Sequence, residues 1–246
     1  MAEPARRPNL REELVVYDEL DRCPYLPGQV SRLPLRWPVH GLNPRQLDDS
    51  LASGDRRTGT FLYHTRCPNC QACEPIRLDV EKFHPNETQR RILRRAHRDL
   101  NWQIGVPKAD EERVALYNRH KRERNLVVPG EDGEIDIESY SRFLVETCCS
   151  TFEFSIYLDD QLVLVAVTDR GATSLNAVYC YYDPSHPKLS LGTFAILQQV
   201  EFCREWGLKY LYLGLYVADS PHMSYKSQYL PHERMIEGKW REFGRD

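Results

Sequence analysis

The chain has 246 residues, a formal net charge of −3 and 41% hydrophobic residues. That length holds one large domain or two small ones sharing an interface, with enough apolar content for a core. No run approaches the roughly 18 apolar residues that a membrane span needs, and the opening segment MAEPARRPNLREELVVYDEL has neither the apolar stretch nor the cleavage site of a secretory signal.

Cytoplasm is therefore the default compartment, and no membrane partner is expected. Eight cysteines in such a chain point to thiols or metal ligands rather than disulfides. The net charge hides an asymmetry. Residues 1–125 carry 23 Lys/Arg against 18 Asp/Glu, which is +5, whereas residues 126–246 carry 10 against 18, which is −8. A basic first half suits a nucleic-acid partner, because phosphate contacts supply most sequence-independent affinity. A solvated charged surface fits the same numbers.

The first 85 residues are rich in proline, glycine, cysteine and arginine, and read as an irregular, loop-heavy small domain. A helix follows, opened by Asn86 as N-cap with Gln89 as its capping-box partner. Ile92, Leu93, Ala96 and Leu100 fall on one face of it, and Arg90, Arg91, Arg94, Arg95 and Arg98 on the opposite one. Further helices are predicted over about 108–124 and 137–149. After Ser150 the pattern changes to strands. TFEFSIYL and LVLVAVTD, joined at Asp159-Asp160, form a hairpin, and TSLNAVYCYYD is a further strand stopped by Pro184. Ser190 then caps an amphipathic helix ending at Gly207. KYLYLGLYV is a buried strand, and a mixed tail closes the chain. This order predicts an α/β (α+β) fold: an acetyltransferase-like sandwich over a mixed sheet, spanning 106–246, behind a small cysteine-bearing domain, 1–105.

Four motifs carry chemistry. The run Cys67-Pro-Asn-Cys70-Gln-Ala-Cys73 can converge three thiolates on one centre, with Cys23 of the segment CPYLP as a fourth ligand for tetrahedral zinc. The same spacing suits an iron–sulfur cluster, and small buried thiols remain the alternative. The arginine face, namely Arg91, Arg94 and Arg98 with Arg56 and Arg57 of GDRRTG, is a candidate phosphate-binding surface, since guanidinium forks match phosphate oxygens. Ser190 and Gly192 open a helix whose free N–H groups attract anions. The glycine-rich pyrophosphate loop of coenzyme-A-dependent members of this fold is absent at Lys188-Leu-Ser-Leu-Gly-Thr-Phe-Ala. In Met223-Ser-Tyr225-Lys226, Lys226 amid aromatics is placed to meet a developing oxyanion or a phosphate, although an exposed, snorkelling lysine has the same local pattern.

Taken together, these pieces resemble the arginyltransferase family, and within it the compact bacterial branch of aspartate/glutamate leucyltransferases. The resemblance runs from about residue 20 to residue 240. It rests on Cys23-Pro-Tyr-Leu-Pro27, Gly54-Asp-Arg-Arg-Thr-Gly59, the cysteine run through Arg77, Thr88-Gln-Arg-Arg91 and Tyr117-Asn-Arg-His120. It continues with Ala166-Val-Thr-Asp169, Val178-Tyr179, Asp183-Pro184, Ser190-Leu-Gly-Thr193, Tyr212-Leu-Gly214 and Met223-x-Tyr225-Lys226. The branch shows Leu-Gly-Tyr where this chain has Leu213-Gly214-Leu215-Tyr216.

The resemblance implies an aminoacyl-tRNA donor, no organic cofactor, and an acceptor protein beginning with Asp or Glu whose modified N-terminus becomes a degradation signal. It also implies direct aminolysis of the aminoacyl ester by the acceptor's α-amine. Lys226 is then the electrostatic stabiliser, by analogy with a lysine that follows an aromatic in Fem-type aminoacyltransferases, and Asp183 is the proton acceptor. Arg77 or Arg57 is the partner of the acceptor's carboxylate, and Tyr225 joins the tRNA-binding set. Leucine is the expected donor residue, with arginine the alternative. A coenzyme-A N-acetyltransferase and a non-catalytic, metal-stabilised RNA-binding module are the competing classes, and the motifs set no oligomeric state.

Overall fold

The computed structural model describes residues 12–126 and 133–244. Most of the segment read as leader-free, residues 1–11, lies outside them. Seven strands and a helix precede residue 85. They are β1 (Glu13–Tyr17), β2 (Leu20–Arg22), β3 (Val30–Arg32), β4 (Leu35–Pro38), α1 (Pro44–Ala52), β5 (Arg56–Thr58), β6 (Phe61–Tyr63) and β7 (Glu74–Asp79). The loop-heavy reading of this region is thus corrected. These strands are mostly three to five residues long, too short for alternation to register. Then come α2 (Glu87–Asp99), β8 (Asn101–Gly105), α3 (Glu111–Glu123), a short α4 (Ile137–Tyr140) continued by a π-helical turn to Val145, β9 (Thr151–Leu158) and β10 (Gln161–Arg170). The chain closes with β11 (Ser174–Tyr182), α5 (Leu191–Glu205), β12 (Tyr210–Tyr216), a 3-10 turn (Ser224–Gln228), β13 (His232–Ile236) and β14 (Lys239–Phe243).

Local chemistry explains the elements that the sequence anticipates. Asn86 and Gln89 close the predicted capping box on α2, and Ala96 and Leu100 are buried while Arg90, Arg91, Arg94 and Arg98 stay exposed. Asp159 and Asp160 both take positive φ, 48° and 65°, as a two-residue hairpin turn with matching twist requires. Gly207 follows α5 at φ 65°. The helix expected over 137–149 is shorter. Glu146 is already extended, because the Cys148 carbonyl is captured by the Leu42 N–H at 2.6 Å, and Gly41 leaves only the space of a missing side chain beside it.

Eight strands make the main sheet in the order β14-β13-β7-β12-β11-β10-β9-β8, and β1-β4-β6-β5 make a smaller one. Helix α5 is the crossover between β11 and the parallel β12, which gives the acetyltransferase-like arrangement expected after residue 106. β7 and β8 lie before that position yet belong to the same sheet. Helices α2 and α5 cover one face, where Leu78, Phe154, Phe194, Val200 and Leu211 are buried together. Helix α3 and the segment after it cover the other, around Tyr117, Tyr140, Val165 and Tyr181. The Tyr117–His120 motif anchors α3. Tyr117 packs edge-on to Tyr181, Asn118 exchanges two bonds with the Ile135 backbone, and His120 Nδ1 meets the Tyr182 backbone. Burial lowers His120 to about 4, so its ring is neutral there. No helix among the described residues is long and apolar enough to cross a membrane.

One ion pair joins the two sheets. Arg57 on β5 donates from Nε and Nη2 to Asp169 on β10 at 2.8–3.0 Å, and both side chains are 0% exposed. Thr151, from β9, and Asn176, from β11, also donate to Asp169. Every carboxylate oxygen is satisfied, which is the condition under which a buried pair is tolerated. Arg57→Met or Asp169→Asn leaves an uncompensated buried partner and is expected to cost about 3–5 kcal/mol in urea unfolding. The double replacement Arg57→Met with Asp169→Leu should recover part of that loss. A loss below about 1 kcal/mol for the single variants would show that the pair does not clamp the sheets.

Candidate active site

Strands β11 and β12 pair at only three positions, Ser174↔Tyr210, Leu175↔Leu211 and Asn176↔Tyr212. Beyond them β11 follows β10 up to Tyr182, while β12 stays paired with β7, with an irregularity between Tyr212 and Leu215. Gly214 sits there at φ 78°, a conformation that suits glycine. The strands part, and the 3-10 turn 224–228 bridges the opening. Lys226 donates to the Leu215 carbonyl of β12 at 2.6 Å. Tyr225 and Tyr229 lie within electrostatic reach of Cys180 and Tyr182 on β11. Tyr229 also bonds Thr193 in the first turn of α5. Gly192 fits because a β-carbon there would press to 3.1 Å on the Tyr182 ring. The wedge thus has two strands as walls, the start of α5 on one side and a lysine-bearing turn across it.

Two cations are buried at this wedge. Lys226 is 7% exposed and Arg56 is 3% exposed. Arg56 bonds two backbone carbonyls, Asp55 O at 2.6 Å and Gly214 O at 2.9 Å, and its Nε is buried without a partner. Beyond Leu215 O, Lys226 reaches Met223 Sδ at 3.6 Å. Among the described residues no carboxylate stands at ion-pair distance from either. The Asp55 carboxylate is engaged by Arg36. Burial, and behind it the charge of Arg56, lowers Lys226 to about 7. Burial lowers Arg56 to about 10, with Tyr63, Tyr212, Asp55 and Tyr25 opposing. An arginine is charged at neutral pH either way. Lys226 is divided between its two forms.

The other residues singled out in the sequence separate into groups. Arg57 faces away from the wedge, saturated by Asp169 and by Gly59 O, so it has no free donor edge for a phosphate or a carboxylate. Arg77 lies between the Tyr210 and Trp240 rings at 3.8 and 4.1 Å, and bonds Glu233 and Tyr212. It cross-links β7 to β12 and β13. Asp183 is buried at the end of β11 and accepts from Arg119 at 2.7 Å and the Ser185 N–H at 2.9 Å. Burial pushes its carboxyl up, but those partners outweigh it and hold it below the ordinary range, a poor property for a proton acceptor. Ser190 stands at the N-cap of α5 in the left-handed region, and its side chain makes no cap bond. That corrects the expected cap and leaves the first N–H groups of α5 without a hydroxyl partner. Tyr225 is 42% exposed.

Arg91 and Arg94 are exposed on α2, whereas Arg98 is paired with Asp99. The four cysteines Cys23, Cys67, Cys70 and Cys73 are partly buried and free. Burial pushes the Cys73 thiol up to about 12, with the other three thiols adding to the rise. They therefore gather in one region, and the Leu26 N–H points at Cys23 Sγ at 3.4 Å. Among the described residues no group of three or more His, Cys, Asp or Glu is arranged to hold a metal ion. Sequence reading missed Tyr25 and Tyr63, which interact with each other and with Arg56. The pairing of β5 with β6, which sets Tyr63 directly across from Arg56, is the signal that was needed.

The buried lysine has a consequence for stability. Between pH 7 and its ordinary value near 10.5 the unfolded chain binds a proton at Lys226 that the folded chain lacks, so folding stability rises with pH across that window. Below pH 7 the folded protein carries the full cost of the buried charge. Lys226→Met is therefore expected to raise the melting temperature most at pH 6–7, with the gain shrinking toward pH 10. Thermal melts of both proteins at several pH values test this, and a pH-independent difference would contradict it.

Two stretches of the chain match family descriptions: residues 21–91 match the N terminus of arginine-tRNA-protein transferase, and residues 112–236 its C terminus. The aspartate/glutamate leucyltransferase of Chromobacterium violaceum is 36% identical over 220 residues, covering 89% of each chain. That of Thiobacillus denitrificans is 35% identical over 221 residues, covering 89% of this chain and 90% of its own. Among solved structures, FemX covers 87% of this chain and 81% of its own at 8% identity and a TM-score of 0.47. The C-terminal domain of a lysylphosphatidylglycerol synthetase from Agrobacterium fabrum covers 72% and 54% at 16% identity and a TM-score of 0.46. Those last two likenesses are distant. The sequence matches span both halves of the molecule, including the strands that form the wedge, and the chain belongs to the arginine-tRNA-protein transferase family.

Proposed function

We propose that the protein transfers leucine from leucyl-tRNA to the α-amine of proteins whose first residue is Asp or Glu. The observation that carries this reading is the shared name of relatives aligned with about nine-tenths of the chain. The absence of a coenzyme-A pyrophosphate loop ahead of α5 agrees with a tRNA donor. The ester is already activated, so the reaction is aminolysis. The acceptor nitrogen forms a bond to the aminoacyl carbonyl carbon, the bond to the ribose oxygen breaks, and the proton lost by the nitrogen is returned to that oxygen.

Lys226 carries that proton. The α-ammonium has an ordinary pKa near 8, so it reaches its neutral form by giving one proton to solvent. A lysine at about 7 is closely enough matched to take the proton released on attack and pass it to the ribose oxygen. This gives Lys226 a different role from the fixed positive charge that its motif suggests. It also takes the base's role from Asp183, whose carboxylate is engaged by Arg119. The free N–H groups of Leu191, Gly192 and Thr193 at the start of α5 face the donor's terminal phosphate or the developing oxyanion. Peptides beginning Asp, Glu or Ala, offered with labelled leucyl-tRNA and arginyl-tRNA in parallel, test the reading. Label from leucyl-tRNA should enter the Asp and Glu peptides only. Lys226→Ala should lower that rate roughly 10²-fold, with little change in tRNA affinity. Transfer from arginyl-tRNA alone would refute the donor assignment.

The exposed arginines of α2 make the tRNA-backbone surface. Replacing Arg91, Arg94 and Arg98 with Ala is expected to lower the slope of log affinity against log salt by about one for each lost phosphate contact. A titration with an unchanged slope leaves α2 as a solvated face.

The thiols of Cys23, Cys67, Cys70 and Cys73, which act on one another in one region, would be the ligands of a structural zinc ion or an iron–sulfur cluster. The donor set is all sulfur, and the Leu26 N–H beside Cys23 favours its thiolate. The group would supply folding energy to the β2–β3 hairpin and the 67–73 loop. Anaerobically purified protein should carry metal that Cys70→Ser loses, together with a lower melting temperature. Metal analysis that finds neither zinc nor iron returns the cysteines to the status of packed thiols.

A further inference from the structure

Arg56 is a buried guanidinium with no carboxylate at ion-pair distance among the described residues; the Asp55 carboxylate that acts on it is engaged by Arg36. It lies inside the molecule with two N–H groups on backbone carbonyls and Nε–H without a partner. A second cation, Lys226, stands within reach of its charge. A buried charge with no counter-charge in contact is costly; the two carbonyls offset part of that cost, and an anion on the unpartnered Nε–H would complete the site. The surroundings are polar on one side only. Tyr63 lies directly across from Arg56 on β6, and its hydroxyl interacts with that of Tyr25. On the other side Gly214 leaves the wedge open beside Lys226, where an added β-carbon would come within 3.8 Å of Nζ.

We infer that Arg56, through its free Nε–H and the hydroxyls of Tyr63 and Tyr25, is the receptor for the side-chain carboxylate of the acceptor's first residue. This rests on the acceptor reading proposed above and names the group that enforces it. The two cations match the two groups of such a residue. In an N-terminal aspartate the α-amine and the carboxyl carbon are separated by two carbon atoms, so a carboxylate seated on Arg56 brings the amine beside Lys226. Glutamate adds one flexible methylene. Asparagine and glutamine offer Arg56 no charge and leave the buried cation uncompensated. Selectivity and catalysis are coupled as well. A carboxylate on Arg56 cancels the positive charge that helps to lower Lys226 and so makes Lys226 a stronger base when the correct acceptor is bound.

The anion on Arg56 is either the acceptor's carboxylate or a phosphate of the tRNA 3′ end, and one experiment separates them. Transfer of leucine to C-terminally amidated peptides differing only in Asp or Asn at the first position gives a ratio of kcat/KM for each protein. Wild type should favour Asp by about 10²-fold or more. Arg56→Gln should bring the ratio below about tenfold, chiefly by losing the Asp peptide, and leave leucyl-tRNA affinity within about threefold. Equal losses on both peptides, or a tenfold weaker tRNA complex with the ratio intact, would overturn the inference and assign Arg56 to the donor. Failure of wild type to use any Asp or Glu peptide would refute the acceptor reading itself, a distinguishable outcome.

Should Arg56→Gln not fold, the wild-type protein answers alone. Calorimetry at pH 8 in buffers of different ionisation enthalpy measures proton uptake. Besides Arg56, the titratable groups on and facing the Lys226 turn are Tyr225, whose ring lies 5.9 Å from Nζ, Tyr229, and Cys180 and Tyr182 on β11, with Arg124 the charged group facing Tyr225 and Tyr182. Burial pushes the three tyrosines and Cys180 up, Tyr229 and Cys180 to about 12, so Lys226 is the group that responds at pH 8. Binding of the Asp peptide should take up protons in excess of the Asn peptide, after correction for the free peptides' own titration. Equal uptake by the two places the carboxylate away from Arg56 and Lys226 and overturns the inference.

Discussion

The clamp between Arg57 and Asp169 is the constraint on which the site depends. The two residues stand 112 positions apart in sequence. Their contact fixes β5, in the small sheet, against β10, an interior strand of the large one, with Thr151 and Asn176 bringing in the neighbouring strands. Side chains on a strand alternate between faces. Once Arg57 is committed to β10, its neighbour Arg56 must leave β5 in the other direction, toward the Gly214 carbonyl of β12. One saturated ion pair thus delivers a second, unsaturated arginine to the wedge. The same guanidinium chemistry is structural in one residue and available in the next, and the difference lies wholly in what each meets.

The wedge itself follows from a short parallel pairing. Three paired positions join β11 to β12; past Tyr212 that pairing ends, while β12 stays on β7 through the bulge at Gly214. Arg77 secures the β7 side of that ladder, stacked on Tyr210 and Trp240 and bonded to Glu233. A cation–π sandwich of this kind holds most tightly where water is excluded. It leaves Arg77 committed to the sheet, so the charge that meets substrates comes from Arg56 and Lys226 instead. Both of those cations bond backbone carbonyls exposed by the bulge, Gly214 O and Leu215 O, and the break in sheet pairing supplies the acceptors that make their burial tolerable.

Much of the frame was legible in the sequence because its signals are local. The Asn86 and Gln89 capping box, the Asp159-Asp160 turn and the glycine after α5 each act within a few residues. What escaped depends on partners far along the chain. In β7, Arg77 and Asp79 alternate with Ile76 and Leu78, and all four are buried. Charged residues in a central strand read as a loop until Glu233, Tyr212 and Trp240 arrive from more than 130 positions away. The site was half legible. The motif around Lys226 could be found, but its environment could not, since a lysine beside tyrosines reads the same whether exposed or buried. Arg56 and Arg57 are identical neighbours, and only the register of β5 against β6 and β10 says which is free.

The cysteine loop enters the same electrostatic neighbourhood. Tyr25 lies two residues after Cys23 and feels the thiols of Cys23 and Cys73, while Tyr63 feels Cys73 on one side and Arg56 on the other. The chain of contacts therefore runs from the thiols through two tyrosine hydroxyls to Arg56 and on to Lys226. A hydroxyl pair next to a buried guanidinium is useful only if its orientation is fixed, and a packed thiol loop behind Tyr25 fixes it. That gives the CPYLP segment a physical reason to sit where it does. It forms the back wall of the charged end of the wedge, and the geometry presented to an incoming carboxylate depends on how firmly that wall is held.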